Sequence, residues 1–189
     1  MSNYFKQETA VIDDGAIIGN DSKIWHFSHV MRAEIGEKCI LGQNVFVANN
    51  VILGNNVKVQ NNVSLFEGVI CEDDVFIGPS AVFTNVINPR SFIERKNEYK
   101  QTLVKRGASI GANATIICGN TIGEYALIGA GAVITKDIIA FALMTGNPAK
   151  QTGWVCKCGN KLHFTGNNAH CSLEAKNYFL LNDAVSIEK

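Results

Sequence analysis

Broken every six positions, residues 35–83 read IGEKCI LGQNVF VANNVI LGNNVK VQNNVS LFEGVI CEDDVF IGPSAV F. Each block opens on an apolar residue: Ile35, Leu41, Val47, Leu53, Val59, Leu65, Cys71, Ile77 and then Phe83. Four positions later comes a small or β-branched residue, Val45, Val51, Val57, Val63, Val69, Val75 and Ala81, with Cys39 as the exception. Helices repeat near 3.6 residues and strands near 2, so a six-residue period needs a chain that turns a corner every six residues. Stacked short repeats of this kind read as a parallel β-helix, with anchors and small residues pointing inward onto their equivalents above and below.

The period extends in both directions. Ile12, Ile18, Ile24 and Val30 keep it upstream, with Ser22 and Ser28 at the fourth offset. Downstream it resumes at Ile110, Ile116, Ile122, Ile128 and Ile134. The step from Val30 to Ile35 is one residue short, which predicts a distortion near Arg32 to Glu34. With three hexads to a turn this gives about six coils, each rising by ~4.8 Å. The Asn pairs at 49–50, 55–56 and 61–62 fall at corners, where Asn tolerates left-handed backbone geometry. The expected organisation is all-β: a β-helix over 1–139 with an inserted loop at 86–108, then a C-terminal segment, 140–189, carrying a Cys-rich tail.

Composition narrows the function classes. The chain has 189 residues, with 17 basic and 17 acidic side chains, so no global charge draws it to nucleic acid or a membrane surface. No stretch reads as a signal peptide or a membrane span. Of the six cysteines, Cys39 and Cys71 take inward offsets and Cys118 lies in a coil, which suits core thiols in a reduced, cytoplasmic protein.

Two departures from the repeat carry the functional information. After Phe83 an insertion runs on to Arg106. It holds Arg90, Arg95, Lys96, Lys100, Lys105 and Arg106 against Glu94 and Glu98. A long loop inside a compact domain is more often functional than idle, and Arg forks and Lys heads suit phosphate and carboxylate. Any single one of these residues is more simply a solvated surface charge; as a set they point to an anionic ligand. Hexads three apart share a face, so Val30, Val47, Leu65 and Phe83 stack, and their third residues, Arg32, Asn49, Glu67 and Asn85, form an outward column. If the loop is a clean excursion, Ile122 continues that face and Glu124 joins the column. Asn85 then stands at the root of the basic loop, where a neutral amide can orient a ligand amine without acting as a strong base.

The hexapeptide repeat resembles that of bacterial nucleotide-sugar N-acetyltransferases. So do Ile24-Trp25-His26-Phe27-Ser28-His29, Phe83-Thr84-Asn85-Val86, Asn88-Pro89-Arg90 and Gly146-Asn147-Pro148-Ala149-Lys150 with Gly153-Trp154. The likeness covers about residues 1–155 and is nearest to enzymes acetylating the 3-amino group of UDP-2-acetamido-3-amino-2,3-dideoxy-glucuronate. It implies a left-handed β-helix, a homotrimer with sites between subunits, acetyl-CoA as donor, and a role in surface polysaccharide such as O-antigen. It also implies that Asn85 lies beside the sugar amine. Asn49, Glu67, Asn88, Arg90 and Arg95 are the candidate substrate contacts, the two arginines for the uronate carboxylate or the diphosphate. Ala112, Ala130, Gly131, Lys136, Asn147, Pro148 and Lys150 are the candidate CoA contacts.

The chemistry needs few groups. A thioester is already activated, so the site must hold a neutral amine near its carbonyl, stabilise the oxyanion and release a proton. The leaving thiolate can take that proton, so no strong side-chain base is required. His26 and His29 lie about 3.3 coils from Phe83, ~16 Å along the axis, too far within one chain to share a site with Asn85. They are read as structural or as contacts to the nucleotide end.

The second departure is the tail: Cys156, Cys158, His163, His170, Cys171 and Glu174. Structural zinc sites use four ligands in paired Cys-x₂₋₄-Cys hooks, and this pattern is incomplete, so no metal is assigned. Three other readings stand beside the uronate enzyme. One is an N-acetyltransferase for a dTDP-3-amino-3,6-dideoxyhexose. Another is a γ-class carbonic anhydrase, disfavoured because the repeat region offers two histidines where three must converge. The last is a non-catalytic solenoid scaffold, which needs neither a basic loop nor the Gly-Asn-Pro-Ala-Lys segment.

Overall fold

The computed structural model describes residues 3–188, and its strands stack into three parallel sheets, one per face of a prism. The first face carries Phe5–Lys6, Lys23–Ile24, Ile40–Leu41, Lys58–Val59, Phe76–Ile77, Ser109–Ile110, Leu127–Ile128 and Ala142–Thr145. The second face runs from Val11–Ile12 through His29–Val30, Phe46–Val47, Ser64–Leu65, Val82–Phe83 and Thr115–Ile116 to Val133–Ile134. The third holds Ile17–Ile18, Glu34–Ile35, Ile52–Leu53, Val69–Cys71, Thr102–Val104 and Thr121–Ile122, with Ile138 bridging to Ile122. That makes seven coils, one more than the count expected from the period.

The anchors do what the period requires. Leu41, Val59, Ile77, Ile110 and Ile128 register one above another, all fully or almost fully buried. The two inward serines sit in this core because each hydroxyl is satisfied twice. Ser22 donates to the Gly36 carbonyl at 2.8 Å and accepts from the Cys39 N–H at 2.9 Å; Ser28 does the same with Gly42 and Val45. Asn44, Asn50, Asn56 and Asn62 all have φ between 55° and 61°, so Asn44 and the second residue of each Asn pair make left-handed corners. The short step resolves as a bend at Arg32, where the Ala33 N–H donates to the Met31 carbonyl and Ala33 is buried.

The insertion differs from its expected form. Thr102–Val104 pairs with Val69–Cys71, so Val104 is an anchor and Ala108 its buried partner at the fourth offset. The irregular excursion therefore ends before Thr102, inside the expected span 86–108. One hexad more is counted, and the register shifts by one face: Phe83 pairs with Ile116, and Ile122 falls on the third face with Val104. Glu124 accordingly leaves the Asn85 column for another corner, a correction to the clean-excursion reading.

The solenoid ends by changing strand direction. Ala142–Thr145 still pairs in parallel with Leu127–Ile128, but Lys150–Val155 adds antiparallel to it, and Lys161–Leu162 antiparallel to that. A three-stranded antiparallel sheet, Asn168–Cys171, Lys176–Leu181 and Ala184–Ile187, completes the C-terminal lobe. Tyr125 stacks on Phe141 at 5.3 Å, and Phe141 meets Tyr178 edge-on at 6.0 Å, which joins the lobe to the last coil. Among the described residues no helix is long and apolar enough to cross a membrane.

Candidate functional site

With the register corrected, the corner after the second face presents Arg32, Asn49, Glu67, Asn85, Cys118 and Lys136 on successive coils. Lower in the column, side-chain oxygens already have partners. Asn49 Oδ1 accepts from the Arg32 N–H at 3.1 Å, and Glu67 Oε1 accepts from Asn50 Nδ2 at 2.9 Å. Asn85 is different. It is half-buried, its carbonyl accepts from the Lys100 N–H at 2.9 Å and so ties the loop shut at its base, and its side-chain amide has no hydrogen bond among the described residues. Thr84 Oγ1 accepts from the Cys118 N–H at 2.9 Å, holding this segment on the next coil.

Asn85 and the loop share one cleft. Asn85, Val86, Pro89, Arg90, Arg95 and Tyr99 contribute to the walls of a cleft of about 240 Å³. Asn88 lies in the adjoining cleft of about 500 Å³, with Val86, Ile87, Glu98 and Lys100. The two arginines expected to take an anion are unequal. Arg95 Nη1 donates to both oxygens of Glu98 at 2.8 Å, so much of its charge is answered within the loop, while its buried Nε has no partner among the described residues. Arg90 is exposed, donates only to the Pro89 carbonyl at 2.9 Å, and faces no carboxylate partner among the described residues.

The expected cofactor residues gather at another corner, between the first and second faces. Coils approach closely there: a Cβ on Gly111 would stand 2.5 Å from the Ala130 nitrogen, and one on Gly78 2.6 Å from the Ala112 nitrogen. Gly131 donates to the Ala112 carbonyl at 2.8 Å, has φ 70°, and faces open space. The segment with Asn147 and Pro148 seats on this corner through two hydrogen bonds, Val133 N–H to the Gly146 carbonyl and Ala149 N–H to the Val133 carbonyl. Lys150 is exposed just beyond it. Lys136 is the exception. It stands two coils beyond Asn85 in the Asn85 column, ~10 Å along the axis, at the opposite end of the second-face strand from Ala130 and Gly131. Ala112 and Asn85 are likewise at opposite ends of second-face strands, so a single chain holds the two groups apart.

The histidines lie low on the solenoid. His29 Nε2 is 2.9 Å from Asp13 Oδ1 and three coils from Val82, ~14 Å away. His26 Nδ1 is 2.8 Å from Thr9 Oγ1, which also accepts from the Phe27 N–H. Sequence reasoning missed the Val104 hexad, although Val104 lies six residues before Ile110 and Ala108 keeps the fourth offset. It also missed the convergence of the tail: Cys156, Cys158 and Cys171 stand with their sulfurs 3.0, 3.4 and 3.5 Å apart, beside Glu174. Burial pushes the Cys156 thiol up to about 12, and the contact with Cys156 draws the Cys158 thiol down.

Known proteins share the repeat and the fold. A family profile described as the hexapeptide repeat of succinyl-transferase matches residues 32–67 and 106–136, on either side of the insertion. A dTDP-3-amino-3,6-dideoxy-alpha-D-galactopyranose 3-N-acetyltransferase of Aneurinibacillus thermoaerophilus is 56% identical over 73 residues, 39% of this chain and 38% of that protein's length. Among solved structures, the UDP-N-acetylglucosamine acyltransferase LpxA of Bacteroides fragilis superposes with a TM-score of 0.68 at 20% identity, over 81% of this chain and 62% of that one. The acetyltransferase domain of PglB from Neisseria gonorrhoeae, in complex with acetyl coenzyme A, gives a TM-score of 0.55 at 22% identity over 78% and 57%. The fold is thus shared over most of the chain, and the chain is a left-handed β-helix built of hexapeptide repeats.

Proposed function

We propose that this chain is an acetyl-CoA-dependent N-acetyltransferase that modifies the 3-amino group of a nucleotide-linked 3-amino-3-deoxy sugar, for a surface polysaccharide. The carrying observation is the uncommitted amide of Asn85 in the wall of the loop cleft, and the 56% identity over 73 residues to a 3-amino-sugar N-acetyltransferase supports the same chemistry. Asn85 Oδ1 accepts a hydrogen from the amine and aims its lone pair at the thioester carbonyl. The C–N bond forms as the C–S bond breaks, and the proton leaves with the CoA thiolate. A late-coil N–H stabilises the oxyanion.

Acetyl-CoA would lie along the Ala112, Ala130 and Gly131 corner, where the absence of bulky side chains lets it approach the backbone, with Asn147, Pro148 and Lys150 at its edge. Because this corner and Asn85 are at opposite ends of the second face, a complete site needs the corner of a neighbouring subunit, as in a homotrimer.

Two acceptors remain, and the loop favours one. Arg95 is answered by Glu98, which leaves less positive charge for a C6 carboxylate and favours a dTDP-linked 3-amino-3,6-dideoxyhexose. The exposed Arg90 and the unpartnered Arg95 Nε keep the UDP-linked 2-acetamido-3-amino-2,3-dideoxy-glucuronate as the second reading. Thiol release from acetyl-CoA with each sugar tests both. We expect turnover with the deoxyhexose and a loss of about 10²-fold in kcat for Asn85→Ala. Preference for the uronate would reverse the order of acceptors, and turnover of neither sugar would rule out both acceptors.

A further inference from the structure

We propose that Cys156, Cys158, Cys171 and Glu174 form a tetrahedral structural Zn²⁺ site that fastens the C-terminal lobe to the end of the β-helix. Their ligand atoms all lie within 4.8 Å of one another. A tetrahedral ion with Zn–S bonds of about 2.3 Å sets neighbouring sulfurs ~3.8 Å apart, so the observed 3.0–3.5 Å triangle needs to open by only a few tenths of an ångström on average.

The ligands arrive on two hooks of similar form. In the first, Gly159 follows Cys158 with φ 84°, its N–H donates to the Cys156 carbonyl at 3.0 Å, and the Cys156 N–H donates to the Asn160 carbonyl at 2.9 Å. In the second, Cys171-Ser172-Leu173-Glu174, the residue after Glu174 is Ala175 with φ 51°. A left-handed alanine costs about 1–2 kcal/mol and persists where its surroundings fix it. Each hook therefore turns back just after its second ligand, and Glu174 holds the place a second cysteine takes in a Cys-x-x-Cys hook. That explains why the pattern looks incomplete in the sequence: the fourth ligand is an oxygen.

Glu174 is held for this role from outside the cluster. Its Oε2 accepts from the Tyr178 hydroxyl at 2.6 Å, while the Tyr178 oxygen accepts from the Lys157 N–H at 2.9 Å. Tyr178 is fully buried, so the carboxylate is steered by a fixed partner, with Oε1 left for the ion.

The lobe also needs such a fastening. Its buried apolar set is Phe141, Cys156, Leu162, Ala169, Cys171 and Tyr178, and two of the six are proposed ligands. Units this small seldom hold together by apolar burial alone, and a bound metal supplies the deficit. The lobe packs on Tyr125, at the corner between the third and first faces, away from both the Asn85 and the Ala130 corners. Within one chain the cluster thus lies apart from both corners, and this inference does not rest on the proposed reaction.

The test uses the full-length, reduced protein, expressed with zinc and desalted, with metal measured by mass spectrometry. We expect about one zinc per chain in the wild type and at least a tenfold loss in Cys158→Ser, whose site is at the surface. Glu174→Gln should keep the fold by circular dichroism yet lose zinc to a chelator at least tenfold more readily. Apo protein titrated with Co²⁺ should show thiolate-to-cobalt charge-transfer bands and the intense d–d bands of a tetrahedral site, displaced by one equivalent of Zn²⁺. Folded, reduced protein with under about a tenth of an equivalent of zinc and no cobalt spectrum would overturn the proposal. So would zinc retained in full by Cys158→Ser, or a disulfide among the three thiols in the protein as isolated.

Discussion

In the β-helix, Leu41, Val59, Ile77, Ile110 and Ile128 stand in one column, each held by the coil below and the coil above. In the C-terminal lobe, Cys156, Leu162, Cys171 and Tyr178 meet with no repeating relation between their positions. The solenoid draws its stability from many near-identical nearest-neighbour contacts, so it tolerates a long insertion between Phe83 and Val104 without losing register. The lobe has one small cluster and no neighbour of its own kind, so a few specific contacts decide whether it is ordered. The first arrangement can carry a long loop between coils; the second depends on a few specific contacts to hold it.

Truncating an anchor is the strongest way to test this contrast. Ile110→Ala removes a fully buried side chain between Ile77 and Ile128, and should cost about 2–5 kcal/mol in urea unfolding. Hydrogen exchange should show the loss across coils on both sides; an effect confined to one coil would break the nearest-neighbour picture. Next in size is Tyr178→Phe, which leaves the Lys157 N–H and Glu174 without their shared hydroxyl and should cost about 1–2 kcal/mol. Exchange should quicken over 156–187 and stay unchanged over 35–83, whereas a solenoid that loosened equally would show that the two regions are one cooperative unit. The smallest effect is expected at a corner. Asn56→Ala forces alanine to φ near 55° and should cost about 1 kcal/mol, while Asn56→Gly should be close to neutral. Equal losses for the two would show that the Asn56 side chain, which donates to Asp74 Oδ1 at 2.8 Å, matters more than its backbone.

Legibility followed the same division. The six-residue period gave the buried columns, the asparagine corners and the bend at Arg32, because each depends on residues close in sequence or at a fixed offset. The period also held the Val104 hexad, but two charged residues, Lys105 and Arg106, next to it made the whole stretch read as loop. That single omission moved Glu124 into the wrong column, since register in a three-sided stack is a count, and one missed hexad rotates everything after it by one face. The candidate site was legible in part: Asn85 could be put at the root of the loop, but not the capture of Arg95 by Glu98, which depends on a short 3₁₀ turn at Lys96–Glu98.

What the sequence determined by itself is the part of this protein governed by periodicity: a three-sided parallel β-helix, its inward residues and its corners. Only the tertiary structure decided which outward residues share a corner, that the Asn85 and Ala130 groups stand apart in one chain, and that Glu174 comes together with three cysteines. The physical reason is range. Burial of a repeating apolar pattern is fixed by local spacing, whereas convergence of polar side chains depends on how whole coils and hooks are placed against one another.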